Sequence, residues 1–295
     1  MSDFNIRTMQ RDELDLALSW ASQEGWNPGI NDAHCYYQAD PQGFLVGELK
    51  GEVIASISAI KYSGDFGFIG FYMVKEKYRH QGFGMQLWKA ALDYLSGCNI
   101  GLDGVAEQQA NYQKSGFKLA YANIRFQGVK GKTLLSSITS PRYEGQVNQK
   151  NIQILPLSDL SFGQITEYEK AFFPCERQEF LASWIGQESS YSLAAVQDGN
   201  LIGYGVMRQC IEGYKLAPLF ADTPHIAEHL LIALVEKIDD DAAFFLDVPE
   251  CHQAGLMLAK KMMMAPVFST ARMYTKTAPV LPLGRIYGVT SFEIG

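Results

Sequence analysis

Residues 68–74 are all apolar, aromatic or glycine, and a few positions later apolar side chains return at helical spacing, with Met85, Trp88, Ala91, Leu92 and Leu95 on one face. The first pattern predicts a buried strand and the second an amphipathic helix. Upstream, residues 6–9 predict a strand, Glu13–Gln23 a helix, residues 25–29 a loop, and Asp32 the start of a short helix. Residues 44–60 read as two strands joined at Lys50-Gly51-Glu52. Downstream, Asn99–Val105 predicts another strand, and residues 108–115 a short helix closed by Gly116.

The same order of elements recurs. Residues 152–155, 162–173 and 178–185 repeat the strand, helix, helix opening, and residues 192–208 repeat the hairpin around Asp198-Gly199-Asn200. Gly51 and Gly199 are 148 positions apart, Leu102-Asp103 and Leu246-Asp247 are 144 apart, and Arg125 and Arg272 are 147 apart. Similar offsets in one order predict a duplicated domain. Residues 130–151, rich in Ser, Gly, Lys and Gln, read as a surface linker. The expected division is therefore 1–129, a linker at 130–150, and 151–295.

Between the strand ending at Val74 and the helix that follows lies Arg79-His80-Gln81-Gly82-Phe83-Gly84, a cationic turn with two glycines. Helix-opening amides have no intrahelical acceptor and sit at the positive end of the peptide dipoles, so the turn suits an anion such as a diphosphate. Taken alone, it also fits a tight turn whose glycines serve the backbone only. It lacks the Gly-Lys-Ser/Thr ending of one phosphate loop, and Leu87 stands where a dinucleotide fingerprint needs a third glycine.

Arg-x-x-Gly-x-Gly between strand and helix resembles the pyrophosphate loop of the GCN5-related N-acetyltransferases (GNAT), and Tyr112-Gln113-Lys114-Ser115-Gly116-Phe117 resembles that family's Tyr-x-x-x-Gly-Phe segment. The resemblance spans roughly residues 4–128. It implies an α+β class with two tandem GNAT folds, each a central twisted mixed sheet flanked by helices. In the second copy the loop region reads Phe220-Ala221-Asp222-Thr223-Pro224-His225 and the tyrosine region Leu256-Met257-Leu258-Ala259, so both signatures are lost. That copy, with residues 213–219 and the ending 286–292, resembles the degenerate C-terminal domain of two-domain bacterial acetyltransferases.

The resemblance implies acetyl-CoA as cosubstrate and transfer of acetyl to a primary amine by direct attack on the thioester. The amides of Gln81, Gly82, Phe83, Gly84 and Met85, with His80 in the turn and Arg79 assisting, would hold the diphosphate, and the backbone of Met73 and Val74 the pantetheine and acetyl oxygen. Tyr112 would protonate the departing thiolate, since a phenol near pKa about 10 is matched to a thiolate; the alternative is a packing aromatic. A lysine-like amine must first lose a proton, at a cost of about 4–5 kcal/mol at neutral pH. Asp103 and Glu107, after the strand that borders the cofactor cleft, and Asp32 and His34, near the substrate-side helix, are candidate bases. None is singled out by spacing, and each also reads as a solvated or capping group. Trp26 would wall the acceptor site or anchor the first helix.

Composition narrows the partners. A net charge of -7 disfavours nucleic acid and favours a cationic acceptor, either a small molecule or a peptide amine. No apolar run reaches membrane-spanning length and the first residues do not read as a signal peptide, so a cytoplasmic monomer or homodimer is expected. Five scattered cysteines give no disulfide or zinc framework, and His225 and His229, at i, i+4 without a third ligand, leave no metal site expected. The alternative to an enzyme is an acyl-CoA-binding sensor on the same fold.

Overall fold

The computed structural model describes residues 3–62, 65–139 and 152–295. The first copy runs β1 (Phe4–Thr8), α1 (Glu13–Gln23), α2 (Asp32–Ala39), β2 (Phe44–Leu49), β3 (Glu52–Lys61), β4 (Phe66–Val74), α3 (Phe83–Tyr94), β5 (Asn99–Val105), α4 (Gln109–Lys114) and β6 (Lys118–Val129). After α5 (Lys130–Thr139), the second copy runs β7 (Ile152–Pro156), α6 (Phe162–Glu169), α7 (Gln178–Ile185), β8 (Ser190–Gln197), β9 (Asn200–Gln209), β10 (Tyr214–Ala221), α8 (Pro224–Val235), β11 (Ala243–Pro249), α9 (Gln253–Lys261), β12 (Ala265–Tyr274) and β13 (Ile286–Gly288). This is the expected α+β class, a mixed sheet flanked by helices.

The strands of the described residues form one sheet in the order β1-β2-β3-β4-β5-β12-β6-β11-β10-β9-β8-β7, with β13 against β10. β4/β5 and β10/β11 are parallel, and the remaining pairs are antiparallel. At its centre the copies exchange strands: β12 lies between β5 and β6, and β6 lies between β12 and β11. Neither copy then has an open edge in the middle of the molecule. We propose to keep the division at 1–129, 130–150 and 151–295 as the covalent one, with β6 and β12 crossing it in space.

Among the described residues, three hydrophobic clusters hold the sheet. One packs α3 with Leu87, Trp88 and Ala91 against Ile54, Ile57 and Ile69, and a second packs α8 and α9 against Leu216, Leu246 and Val248. The third is shared by both copies, joining Leu14, Tyr36 and Phe71 to Phe180, Trp184 and Phe220. Here Tyr36 of α2 stacks on Trp184 of α7 with ring centroids 5.8 Å apart.

Two expectations differ in detail. Met85 is exposed, because it sits in the first turn of α3, beyond the core. Residues 130–139, expected as linker, are helical because α5 docks on the second copy: Lys130 Nζ donates to the Ile238 carbonyl at 2.7 Å, and Thr133 Oγ1 donates to the Met262 carbonyl at 2.9 Å. The rest of that linker, 140–151, lies outside the described residues. No described helix is long and apolar enough to cross a membrane.

Candidate active site

β4 and β5 pair from Phe66↔Asn99 to Ile69↔Leu102 and then part, so the second half of β4 faces an opening. The β3/β4 ladder slips between Ser56 and Ser58, and Phe71 there has φ +47°, an uncommon conformation for a buried non-glycine residue. Ser56 Oγ holds this bulge by donating to the Phe71 carbonyl at 2.9 Å. Past it, the Lys75 N–H donates to the Ile54 carbonyl at 2.9 Å. Antiparallel alternation then points the Val74 N–H and C=O away from β3 into the opening, and the Met73 amide toward the ladder.

The chain leaves β4 through a short 3-10 turn and enters α3 with His80 at φ +63° and Gly82 at φ +83°. Gly82 is the N-cap and makes no side-chain cap, so the first amides of α3 keep their unfilled donors. A Cβ at Gly82 would meet nothing within 4 Å, so its glycine is required by conformation. At Gly84 the constraint is space: a Cβ would lie 2.6 Å from the Tyr72 hydroxyl oxygen.

The loop, the opening and Tyr112 border one cavity of about 600 Å³. Of the expected cofactor residues, Met73, Val74, Arg79, His80, Gly82, Gly84 and Met85 border it. Gln81 and Phe83 turn aside, Gln81 Nε2 donating to the Lys77 carbonyl at 2.9 Å and Phe83 packing on Phe4 at 4.8 Å between centroids. Arg79 donates from Nε to the Val74 carbonyl at 2.9 Å and pairs with Glu24 at 2.6 Å, so its charge lies across the cavity mouth. The donors fit a diphosphate: open helix amides, a glycine N-cap and a nearby guanidinium.

Tyr112 packs 5.5 Å from Trp88 and over Gly104, where a Cβ would come within 2.3 Å of its ring. Burial, with the nearby Tyr72 phenol as a smaller cause, pushes its pKa up to about 12, so it carries its proton at neutral pH. Of the four titratable residues expected near the cleft, His34 and Glu107 are exposed, and neither they nor Asp32 border the cavity. Asp32 is fully buried, accepts the Gly29 N–H at 2.7 Å and pairs with Arg208 at 3.1 Å. Asp103 borders the cavity but is held by Arg272 at 2.5 Å and by Asn123 at 2.8 Å; burial still pushes its pKa up.

Trp26 also borders the cavity, and Asn27, at φ +51°, fixes that loop by exchanging two hydrogen bonds with the Glu212 backbone. Further wall comes from the second copy: Phe268, Thr270, Phe292 and Glu293. Glu293 was not among the expected site residues. Its one sequence signal is position, since it directly follows the ending 286–292 that carries the narrower resemblance.

The corresponding places in the second copy are closed. α8 begins with Pro224, which has no N–H, and the Thr223 hydroxyl oxygen accepts the Ile226 N–H at 3.4 Å, so the anion-binding amides are missing or capped. β10 and β11 pair only from Tyr214↔Phe244 to Leu216↔Leu246, and β13 fills the gap beyond, at Leu219↔Gly288 and Phe220↔Ile286. The Val289 N–H donates to the Asp247 carbonyl at 2.9 Å, completing the seal.

Comparison with known proteins finds a family match within each copy. The acetyltransferase (GNAT) family profile matches residues 11–117, and an acetyltransferase (GNAT) domain profile matches residues 165–288. A holothin acyltransferase of a Pseudoalteromonas species is 25% identical over 284 residues, covering 96% of this chain and 92% of the relative. An uncharacterised N-acetyltransferase of Bacillus subtilis is 23% identical, covering 83% and 82%. In fold, a proposed acetyltransferase of Pyrococcus horikoshii superposes with TM-score 0.78 at 19% identity, over 100% of this chain and 97% of that one. A tandem GNAT protein from the clavulanic acid biosynthesis pathway does so with TM-score 0.62 at 10% identity, over 94% and 99%.

Proposed function

Because the chain is a tandem-domain acyltransferase of the GNAT family, we propose that its first domain takes acetyl-CoA as cosubstrate and acetylates a primary amine in the cytoplasm. The observation that carries this reading is the joining of the α3 amides, the β4/β5 opening and Tyr112 in one cavity. The diphosphate would lie on the amides of Gly82 to Met85, the pantetheine along Val74, and the thioester beside Tyr112. The similarity to the holothin acyltransferase over nearly the whole of both chains supports acyl transfer as the reaction.

In the reaction the acceptor ammonium gives one proton to solvent, and the neutral nitrogen attacks the thioester carbonyl carbon. The C–N bond forms, the nitrogen loses its surplus proton to water, and the C–S bond breaks with its electron pair on sulfur. Tyr112 protonates the thiolate and is reprotonated from solvent, so the sum is amide, free CoA thiol and one proton. The Val74 N–H, which faces the opening, stabilises the oxyanion where its charge develops.

The test is calorimetric titration with acetyl-CoA of the wild type and a Gly82→Asp, Gly84→Asp variant, followed by thiol release with an amine panel. One-to-one binding that the variant loses, with amine-dependent thiol release, is expected. Binding without release by any amine would favour the sensor, and no binding would remove both readings.

A further inference from the structure

Among the described residues, three carboxylates border the cavity. Glu24 is taken by Arg79, and Asp103 by Arg272, Asn123 and Thr270. Glu293 is held differently. It is 3% exposed, and no Lys, Arg or His nitrogen of the described residues lies within 4.0 Å of its carboxylate. Its Oε2 accepts from Ser291 Oγ at 2.7 Å and from the Tyr36 hydroxyl at 3.1 Å. Its Oε1 has no protein donor among the described residues, yet it is not among their fully enclosed unsatisfied atoms, so it faces cavity space.

The backbone that carries this carboxylate is fixed from both copies. Ser58 Oγ donates to the Glu293 carbonyl at 3.1 Å, Tyr62 donates to the Ile294 carbonyl at 2.7 Å, and Ser291 Oγ accepts the Glu293 N–H at 2.9 Å. Upstream, the same segment is anchored as β13 in the closed cleft of the second copy. Burial disfavours the ionised form, but Lys215, the Ser291 hydrogen bond, Arg125 and Arg208 outweigh it and hold Glu293 below the usual carboxylate range. The chain thus spends ten residues placing an ionised, half-satisfied carboxylate beside Trp26, Phe268 and Phe292.

We propose that Glu293, delivered by the second copy, is the acceptor-recognition residue: its Oε1 receives the ammonium of a cationic primary amine with an apolar body, which packs on Trp26, Phe268 and Phe292. A cation fits because a buried carboxylate oxygen without a donor among the described residues gains most from a charged one. The Arg125 guanidinium already lies over Phe268 and Phe292, at 5.6 and 5.0 Å, so these rings offer the amine's apolar body packing and add no charge attraction. The second copy then acts on the reaction of the first without a cofactor site of its own. This assignment rests on the transferase reading above.

The experiment uses Glu293→Gln, which keeps an oxygen for Ser291 and Tyr36 but removes the charge. Thiol release is followed with phenethylamine and tryptamine as cationic probes and hydroxylamine as a small nucleophile that needs no charge recognition, while acetyl-CoA binding is read by calorimetry. The KM for the cationic amines should rise by roughly tenfold or more, the loss of one charge-assisted contact. Acetyl-CoA affinity should stay within about twofold of wild type. An unchanged amine KM would overturn the assignment, as would a wild type that acetylates hydroxylamine but neither amine. A wild type that fails to bind acetyl-CoA overturns the transferase reading itself, which the titration shows separately. Should the Gln variant not fold, Glu293→Asp, with its carboxylate drawn back by one methylene, is expected to raise the amine KM at unchanged acetyl-CoA affinity.

Discussion

Arg125 of the first copy grips Asp247 of the second at two points, Nε to Oδ1 at 2.7 Å and Nη2 to Oδ2 at 2.8 Å, and Arg272 returns the contact to Asp103. The crossing follows from the strand exchange, which sets Asp247 opposite Arg125 and Arg272 opposite Asp103 in register. Arg125 and Asp247 are 3% and 2% exposed, so neither can be rescued by water. Arg125→Ala or Asp247→Asn leaves a buried charge unpaired and should destabilise the fold by about 3–5 kcal/mol. Urea unfolding should lose this amount in one transition that includes both copies, because the pair lies in their common sheet; separate transitions would argue against such coupling.

The same pair gives stability a pH dependence. Burial raises the Asp247 pKa, but Arg125 and then Lys215 and Arg208 outweigh it, and the net shift is downward. The unfolded Asp titrates near about 3.9, so the Asp247 contribution is complete above that pH and is lost as pH falls through the lower folded value. For Asp103 burial wins and the shift is upward, so its contribution has the opposite slope. The gap in Tm between wild type and Asp247→Asn should therefore narrow below pH about 4. A gap constant down to pH about 2 would contradict the assigned direction.

The paired residues also show what could be read from the chain alone. The offsets that link Asp103 to Asp247 and Arg125 to Arg272 reveal the duplication, but they do not say which arginine meets which aspartate. β6 and β12 are equivalent strands, and choosing between self and exchange depends on partners about 120 to 170 residues away. The α3 loop was legible because its determinants are local: a buried strand, glycines and a helical period. α5 was not, since Lys130 and Thr133 are held by carbonyls of the other copy. Glu293 escaped for a related reason. Its segment has little regular structure after β13, and its role depends on Ser58, Tyr62 and Tyr36, which are distant in sequence.

Tyr112→Phe should lower kcat by roughly 10²- to 10³-fold, the range of a lost general acid, with little change in acetyl-CoA affinity because the ring and its packing on Trp88 remain. With its pKa pushed up to about 12, Tyr112 stays protonated across the usual assay range. The wild-type rate should therefore show no descending limb from this group between pH 7 and about 10. A Phe variant with wild-type kcat would reduce Tyr112 to a packing residue.

Two glycines separate the two ends of the cavity. A Cβ on Gly70 would lie 2.0 Å from the Glu293 carbonyl oxygen, 2.7 Å from its carbon and 2.8 Å from its Cα, so Gly70→Ala must push the segment bearing Glu293 away. Overpacking against backbone should cost about 1–3 kcal/mol and raise the KM of a cationic amine while leaving acetyl-CoA affinity in place. Gly82→Ala meets no protein atom within 4 Å but must hold φ +83° where the diphosphate approaches, so the same pair of measurements should change in reverse. If each substitution weakened both ligands alike, acceptor and cosubstrate could not be assigned to separate ends, and Glu293 would act through the fold as a whole.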